Sequence, residues 1–138
     1  MGLNKKKFRK PINGIGFAAR PQSYSLTGVG ALNATKMQPY GHTYVTSTGT
    51  VRHTITLRTP TQMGTAKTIV CRNNSTADVL VQCETTATFV AGTTGNTILF
   101  ATGARERSIH LVARSTRAWS LVSMTTGVSF VGSTLIVA

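Results

Sequence analysis

The sequence predicts an all-β protein, an antiparallel β-sandwich or a jelly-roll-like barrel, with an extended basic N-terminal arm. Three observations carry this prediction. Threonine, valine and isoleucine recur along the whole chain, and these β-branched residues favour strands over helices. Turn-forming residues return every eight to twelve positions. No stretch of eleven or more residues shows a helical period.

The first 22 of the 138 residues form the predicted arm, and residues 23–138 form the predicted β-domain. The arm contains Pro and Gly, has no apolar pattern of its own, and holds six of the fifteen lysines and arginines. Phe8 lies inside the basic run, where it can anchor the arm in a groove of a partner. The residues assigned to partner binding are Lys5, Lys6, Lys7, Phe8, Arg9, Lys10 and Arg20.

The predicted strands follow one another through the β-domain. Residues 23–40 predict one short strand followed by a loop, and from residue 41 the pattern becomes regular. Runs rich in β-branched and aromatic residues, separated by Gly, Pro, Asn and Ser, indicate strands. These runs are 42–47, 50–58, 66–73, 77–83, 97–101, 107–114, 117–124 and 128–138. Two pairs are predicted from the turns between them: 66–73 with 77–83, and 107–114 with 117–124.

The run 50–58 has an apolar and a polar face. Val51, His53, Ile55 and Leu57 fall on one face, while arginine and threonine alternate on the other. Such alternation is typical of a strand with one side in water.

The formal charge of +12 reflects a shortage of acids more than an excess of bases. The chain has fifteen Lys and Arg residues but three acidic ones, and charged residues total 13%, against roughly 25% in ordinary domains. Beyond the arm the basic residues are scattered singly. A chain of this kind is expected to seek an acidic protein surface or a phosphate backbone.

No combination of residues indicates catalysis. Asp78, Glu84 and Glu106 are the acidic residues, and Glu106 lies between two arginines, as a neutralised surface group does. No Gly-rich loop followed by Lys is present. We therefore expect a protein that is not an enzyme, with no catalytic residues and no cofactor.

The cysteines and histidines lack the spacing of a metal site. Cys71 and Cys83 stand twelve residues apart without a Cys-x-x-Cys pair. Both fall in predicted strands, which favours buried reduced thiols and leaves a disulfide across neighbouring strands open. His42, His53 and His110 stand singly and are expected as partly buried or surface residues. Trp119 is expected in the core, with a stacking role as the alternative.

The sequence predicts neither export nor membrane insertion. The basic start is followed by residues 11–22, which are too broken by Gly and Pro for the apolar region of a signal peptide. No run approaches the length of a membrane span.

The order of features from Pro39 to Phe130 resembles that of the small β-domains of tailed-phage virions. Residues 39–83 run from a strand before a Gly turn through "TLRTP" to a Gly and a strand ending in Asn. Residues 109–130 follow with an aliphatic strand, a tight turn, a Trp strand and a Gly. In the head decoration (cement) proteins of that group a "TLP"-like segment precedes a Gly. Here Arg58 and Thr59 interrupt that segment.

The resemblance implies a bacteriophage structural protein located on the capsid surface of the virion and made in the host cytoplasm. It implies a symmetric homo-oligomer, with a homotrimer favoured, that binds the major capsid protein. The arm would lie across joints between coat subunits.

Two other classes of function stay open. A nucleic-acid-binding structural protein, such as a small coat protein whose basic arm contacts the genome, is the alternative. An enzyme or a carbohydrate-binding module is the third, although sugar-binding sheets need exposed aromatics with Asp or Asn, and the chain is nearly without Asp.

Overall fold

The computed structural model describes residues 21–27, 36–84, 87–90 and 97–131. These residues form β-strands and loops and no helix, so the protein is all-β as the composition predicts. The strands are β1 (Gln22–Leu26), β2 (Lys36–Met37), β3 (Gly41–Ser47), β4 (His53–Leu57), β5 (Ala66–Asn73), β6 (Val79–Cys83), β7 (Thr88–Val90), β8 (Thr97–Phe100), β9 (Gly103–Ser115), β10 (Ala118–Met124) and β11 (Val128–Val131). The predicted arm, with Lys5, Lys6, Lys7, Phe8, Arg9, Lys10 and Arg20, lies outside the described residues.

The strands form two sheets. Sheet A has six strands in the order β1-β3-β5-β9-β10-β7, and sheet B has five in the order β11-β8-β6-β4-β2. From β1 to β6 the chain changes sheet after every strand, so the odd-numbered strands build one half of sheet A and the even-numbered strands build one half of sheet B.

Both sheets are mixed, which corrects the prediction of antiparallel sheets. The pairs β1–β3, β3–β5, β2–β4, β4–β6 and β7–β10 are parallel, while β5–β9, β9–β10, β6–β8 and β8–β11 are antiparallel. Parallel neighbours need a crossover connection, and here a strand of the other sheet supplies it where an α/β protein uses a helix. The sequence cannot distinguish a short connection of this kind from a hairpin turn, because both are polar.

Of the two strand pairs predicted from their turns, one is a hairpin and the other is a crossover between the sheets. The run 107–114 does pair with 117–124, as the antiparallel hairpin of β9 and β10. The run 66–73 does not pair with 77–83, because β5 lies in sheet A and β6 in sheet B. Asn73 holds this connection: its side-chain NH2 donates to the carbonyl oxygens of Ala77 (2.9 Å) and Phe100 (3.2 Å).

Both sheets contribute to one hydrophobic core. On β5 the buried residues alternate with less buried ones, as expected for a strand with one face in a core. Trp119, at 0% exposure, confirms the expectation that this residue lies in the core. The core residues are Leu26, Val45, Ile69, Cys71, Phe89, Ile109, Leu111, Ala113 and Trp119 from sheet A, and Met37, Ile55, Leu57, Val79, Val81, Ile98, Phe100 and Val128 from sheet B.

The expectation of a wet face on the run 50–58 is wrong for β4. Ile55 and Leu57 are fully buried as expected, but Thr54 and Thr56 on the opposite face are also buried, each 8% exposed. β4 lies inside sheet B between β2 and β6, and Leu80 opposite Thr54 is itself buried. A short threonine side chain is readily shielded at such a position.

An arginine joins the ends of the two sheets. Arg107 on β9 donates through Nη1 to the carbonyl oxygen of Thr126 (2.6 Å) and through Nη2 to that of Thr102 (3.3 Å). Thr102 lies between β8 and β9, and Thr126 lies between β10 and β11, so one guanidinium binds both connections that cross between the sheets here. Beside it, the Ala101 amide donates to the Gly127 carbonyl oxygen (2.9 Å). We call this arrangement the Arg107 joint.

Gly127 is required by the Arg107 joint for two reasons. Its φ of +89° is in the left-handed region that favours glycine. A Cβ atom placed there would also overlap the Arg107 guanidinium, so the guanidinium would have to move and lose its carbonyl partners.

We predict that Gly127→Ala lowers the free energy of unfolding by about 2–4 kcal/mol, because backbone strain and the loss of two hydrogen bonds add together. Gly64→Ala is the matched control: Gly64 has a similar φ of +87°, but nothing lies within 4 Å of its added Cβ. It should cost about 1–2 kcal/mol from strain alone. Urea unfolding measures both values. Equal losses in the two variants would show that Arg107 contributes nothing at this position.

Candidate functional site

The most distinctive surface among the described residues is the face of sheet A that points away from the core. We call it the outer face. On β3, β5 and β9 the residues between the buried ones form it, and the strand register places them in rows. His42, Thr68 and His110 form one row, and Tyr44, Val70 and Ser108 form the next. The members on these three strands are His42, Tyr44, Thr46, Thr68, Val70, Arg72, Ser108, His110, Val112 and Arg114.

Aromatic and imidazole rings lie at the middle of the outer face. The Tyr44 side chain is 43% exposed, which is high for a tyrosine on an interior strand. Its ring stacks on that of His42, with the ring centroids 6.5 Å apart and the planes inclined by 19°. Two strands away, Nδ1 of His110 shares a hydrogen bond with Oγ1 of Thr68 (2.9 Å). The outer face thus carries one exposed aromatic ring with imidazole and hydroxyl groups on the same and neighbouring strands.

The charge on the outer face is predominantly positive. Arg72 and Arg114 are exposed there, and Arg117 is exposed at the tip of the β9–β10 hairpin. Two of the three acidic residues are paired elsewhere: Glu84 binds Lys36 at 2.8 Å, and Asp78 lies 3.9 Å from Arg52. Glu106 on β9 is exposed and shares an open cleft of about 500 Å³ with Arg105 and the Arg107 joint.

Lys67 is the buried cation of sheet A. It lies on the core side of β5, is 1% exposed, and donates from Nζ to the Tyr40 carbonyl oxygen (3.2 Å) and to Oγ1 of Thr43 (2.5 Å). The Thr43 hydroxyl in turn donates to the side-chain carbonyl of Gln22 (3.4 Å), which links β1, β3 and β5. Both partners of the amine are neutral, so burial lowers the pKa of Lys67 to about 7. Sequence reasoning missed this residue, because a single lysine in a strand pattern resembles any surface lysine.

The histidines differ in environment. His42 and His110 are exposed, as expected for surface residues. His53 is fully buried, and its Nδ1 lies 3.0 Å from Oγ of Ser47. Among the residues that the structure describes, no three His, Cys, Asp or Glu side chains come together as a metal site.

The two cysteines are free. Cys71 is buried in the core, and burial raises the pKa of its thiol to about 12. Cys83 is partly buried, and burial together with the Glu84 carboxylate raises the pKa of its thiol as well. Both groups are protonated at neutral pH and are weak nucleophiles, because the thiolate is the reactive form.

Comparison with known proteins assigns the chain to no family. A scan against protein-family models matched none, and a search of curated proteins found no match. The described residues include no helix long and apolar enough to cross a membrane.

We predict that Lys67 raises wild-type stability by about 1.5 kcal/mol between pH 7 and 8.5. Its ordinary pKa is 10.5 and its folded pKa is about 7, so in this window the unfolded chain binds the proton more strongly than the folded one. Unfolding takes up a proton, and raising the pH therefore favours the folded state. Above this window the thiols act in the opposite direction, because their folded pKa values are raised from an ordinary 9.0.

Lys67→Met should remove this rise, because methionine keeps an unbranched side chain at this buried position without a titrating group. Lys36→Met is the control, since Lys36 is exposed and paired with Glu84, and its variant should keep the wild-type slope. Urea unfolding at several pH values measures the slopes. A Lys67→Met protein with an unchanged slope would assign the titration to another group.

Proposed function

We propose that the protein is a structural virion protein that binds and stabilises a bacteriophage capsid as a decoration, or cement, protein. Residues 1–22 dock on coat subunits through Lys5, Lys6, Lys7, Phe8, Arg9, Lys10 and Arg20. The major capsid protein is the partner, and the protein acts as a homotrimer on the virion surface. The two sheets form a β-sandwich that carries the arm.

The concentration of positive charge in the first 22 residues is the observation that carries this proposal. Residues 1–22 hold six basic residues and no acidic one. In the β-domain, two of the three acidic residues are already paired, with Lys36 and Arg52. The arm thus carries half of the net charge of +12 in its 22 residues, and the remaining +6 is spread over residues 23–138. A positive charge concentrated in one short segment suits attachment to an acidic surface outside the molecule.

The internal roles of the polar groups in the β-domain also support a structural protein. Lys67 links β1, β3 and β5 through Thr43, Arg107 binds the connections between the sheets, and Asn73 holds the connection between β5 and β6. A capsid presents the same coat subunit many times, so several arms of one oligomer can bind at once. Each arm therefore needs only modest affinity for its coat subunit.

The proposal predicts that the full-length protein sediments with empty capsids assembled from the coat protein of the same phage. Replacing Lys5, Lys6, Lys7, Arg9 and Lys10 together by glutamine should weaken this binding at least about tenfold, because the attraction of several charge-assisted contacts is lost. Phe8→Ala should weaken it as well if the ring is an anchor. Quantitative cosedimentation at about 150 mM salt, where exposed charges are screened beyond roughly 8 Å, measures both effects.

Arg58→Gln is the control, because Arg58 is an exposed arginine of the β-domain outside the arm. It should bind capsids like the wild type. Empty capsids separate the proposal from its alternative, a coat protein whose arm contacts the genome. Binding to free genome with no binding to empty capsids would overturn the decoration role and favour that alternative.

A further inference from the structure

We propose that the outer face of sheet A is a binding surface for single-stranded nucleic acid. A base stacks on Tyr44, and Arg72 and Arg114 contact phosphates. This proposal goes beyond capsid binding and does not depend on the arm. It rests on side chains of the described strands β3, β5 and β9.

The Tyr44 ring is exposed on an interior strand of sheet A. It lies on β3, which has β1 on one side and β5 on the other, so the ring stands on the sheet and not at its edge. It is 43% exposed and is supported from one side by the stacked His42 ring. An exposed aromatic ring on a sheet offers a stacking surface that accepts any base.

Polar side chains lie in the row of the outer face next to Tyr44. Tyr44 pairs in register with Val70, and the next row holds His42, Thr68 and His110. Thr68 and His110 already share a hydrogen bond, which fixes their orientation. Hydroxyl and imidazole groups donate to and accept from base edges, so a base stacked on Tyr44 has polar partners in the adjacent row.

Arg72 and Arg114 lie toward opposite ends of the outer face. Arg72 follows Val70 by two residues on β5, which places it about 7 Å farther along the strand direction. Arg114 lies at the other end of the face on β9. A nucleic-acid strand with one base stacked on Tyr44 can place phosphates near Arg72 on one side and near Arg114 on the other. Charge complementarity therefore favours a polyanion over a neutral partner.

The width of the face selects a single strand over a duplex. Six strands at about 4.8 Å spacing make a surface of roughly 24 Å, while the major groove of duplex DNA is about 12 Å wide. The sheet cannot enter such a groove, and Tyr44 cannot stack on bases that are already stacked and paired. An unpaired strand can lie across the face with its bases turned toward the ring.

The test measures the binding of the full-length protein to labelled oligothymidylate and oligouridylate of about 16 nucleotides by fluorescence anisotropy across a salt series. Tyr44→Ala should weaken binding by about 5- to 100-fold with an unchanged salt slope, since the ring makes no phosphate contact. Tyr44→Phe keeps the stacking surface and should stay within about twofold of the wild type. Arg72→Gln should weaken binding and make the slope of log affinity against log salt shallower by about 0.7.

Two controls separate the outer face from general charge. Arg52→Gln removes the same charge as Arg72→Gln, but from a residue near β4 that lies beside Asp78. It should bind like the wild type. Every variant is also measured with Lys5, Lys6, Lys7, Arg9 and Lys10 replaced by glutamine, which removes most of the charge of the arm. Circular dichroism and melting temperature confirm that the exposed substitutions leave the fold intact.

The outcomes are distinct. Equal binding by the wild type and Tyr44→Ala, stronger binding to duplex than to single strands, or no binding by the wild type would each overturn the proposal. If Tyr44→Ala instead reduces capsid binding and the wild type binds no oligonucleotide, the outer face is a protein-docking surface. If the arm variants bind capsids as well as the wild type does, the capsid proposal fails, but the oligonucleotide binding of Tyr44→Ala is not affected. The two proposals can therefore fail separately.

Discussion

The repeated crossing of the chain between two sheets is the constraint on which the rest of the structure depends. Because β1 to β6 alternate between the sheets, each pair of consecutive strands adds one strand to each side of the core. Each connection between consecutive strands, except that of β9 and β10, then runs from one sheet to the other, where backbone groups need partners. Asn73 and Arg107 supply hydrogen bonds at three of these connections: Asn73 between β5 and β6, and Arg107 between β8 and β9 and between β10 and β11.

The strands could be predicted from the sequence, but their order could not. Alternation of residue types locates β3, β5, β9 and β10, because a strand with one face in the core shows its burial pattern directly. Pairing is different, since the polar residues of a hairpin turn and of a short crossover are the same. The β9–β10 pair was predicted correctly and the pairing of β5 with β6 was not. Thr54 and Thr56 show a further limit, because threonine fits both a wet and a buried strand face.

The sequence predicted the arm as the binding element, and that prediction concerns residues outside the described strands. The outer face was missed, although the signal was present: in residues 42–47, His42 and Tyr44 alternate with the buried Thr43 and Val45. Read as a strand, that alternation places both rings on one side. What the sequence could not supply was the register that brings Thr68 and His110 alongside them from β5 and β9.

The alternation of strands between the sheets also sets the pace at which this chain folds. Tyr24 pairs with Val45, and Val45 with Cys71, so neighbours in sheet A are separated by more than twenty residues of sequence. Loop-closure entropy opposes each of these contacts before the contact contributes any stability. Chains dominated by non-local pairing therefore fold in about milliseconds to seconds. The β9–β10 hairpin is the exception, because its strands are joined by a tight turn. It is the local element on which the remaining strands of sheet A can assemble.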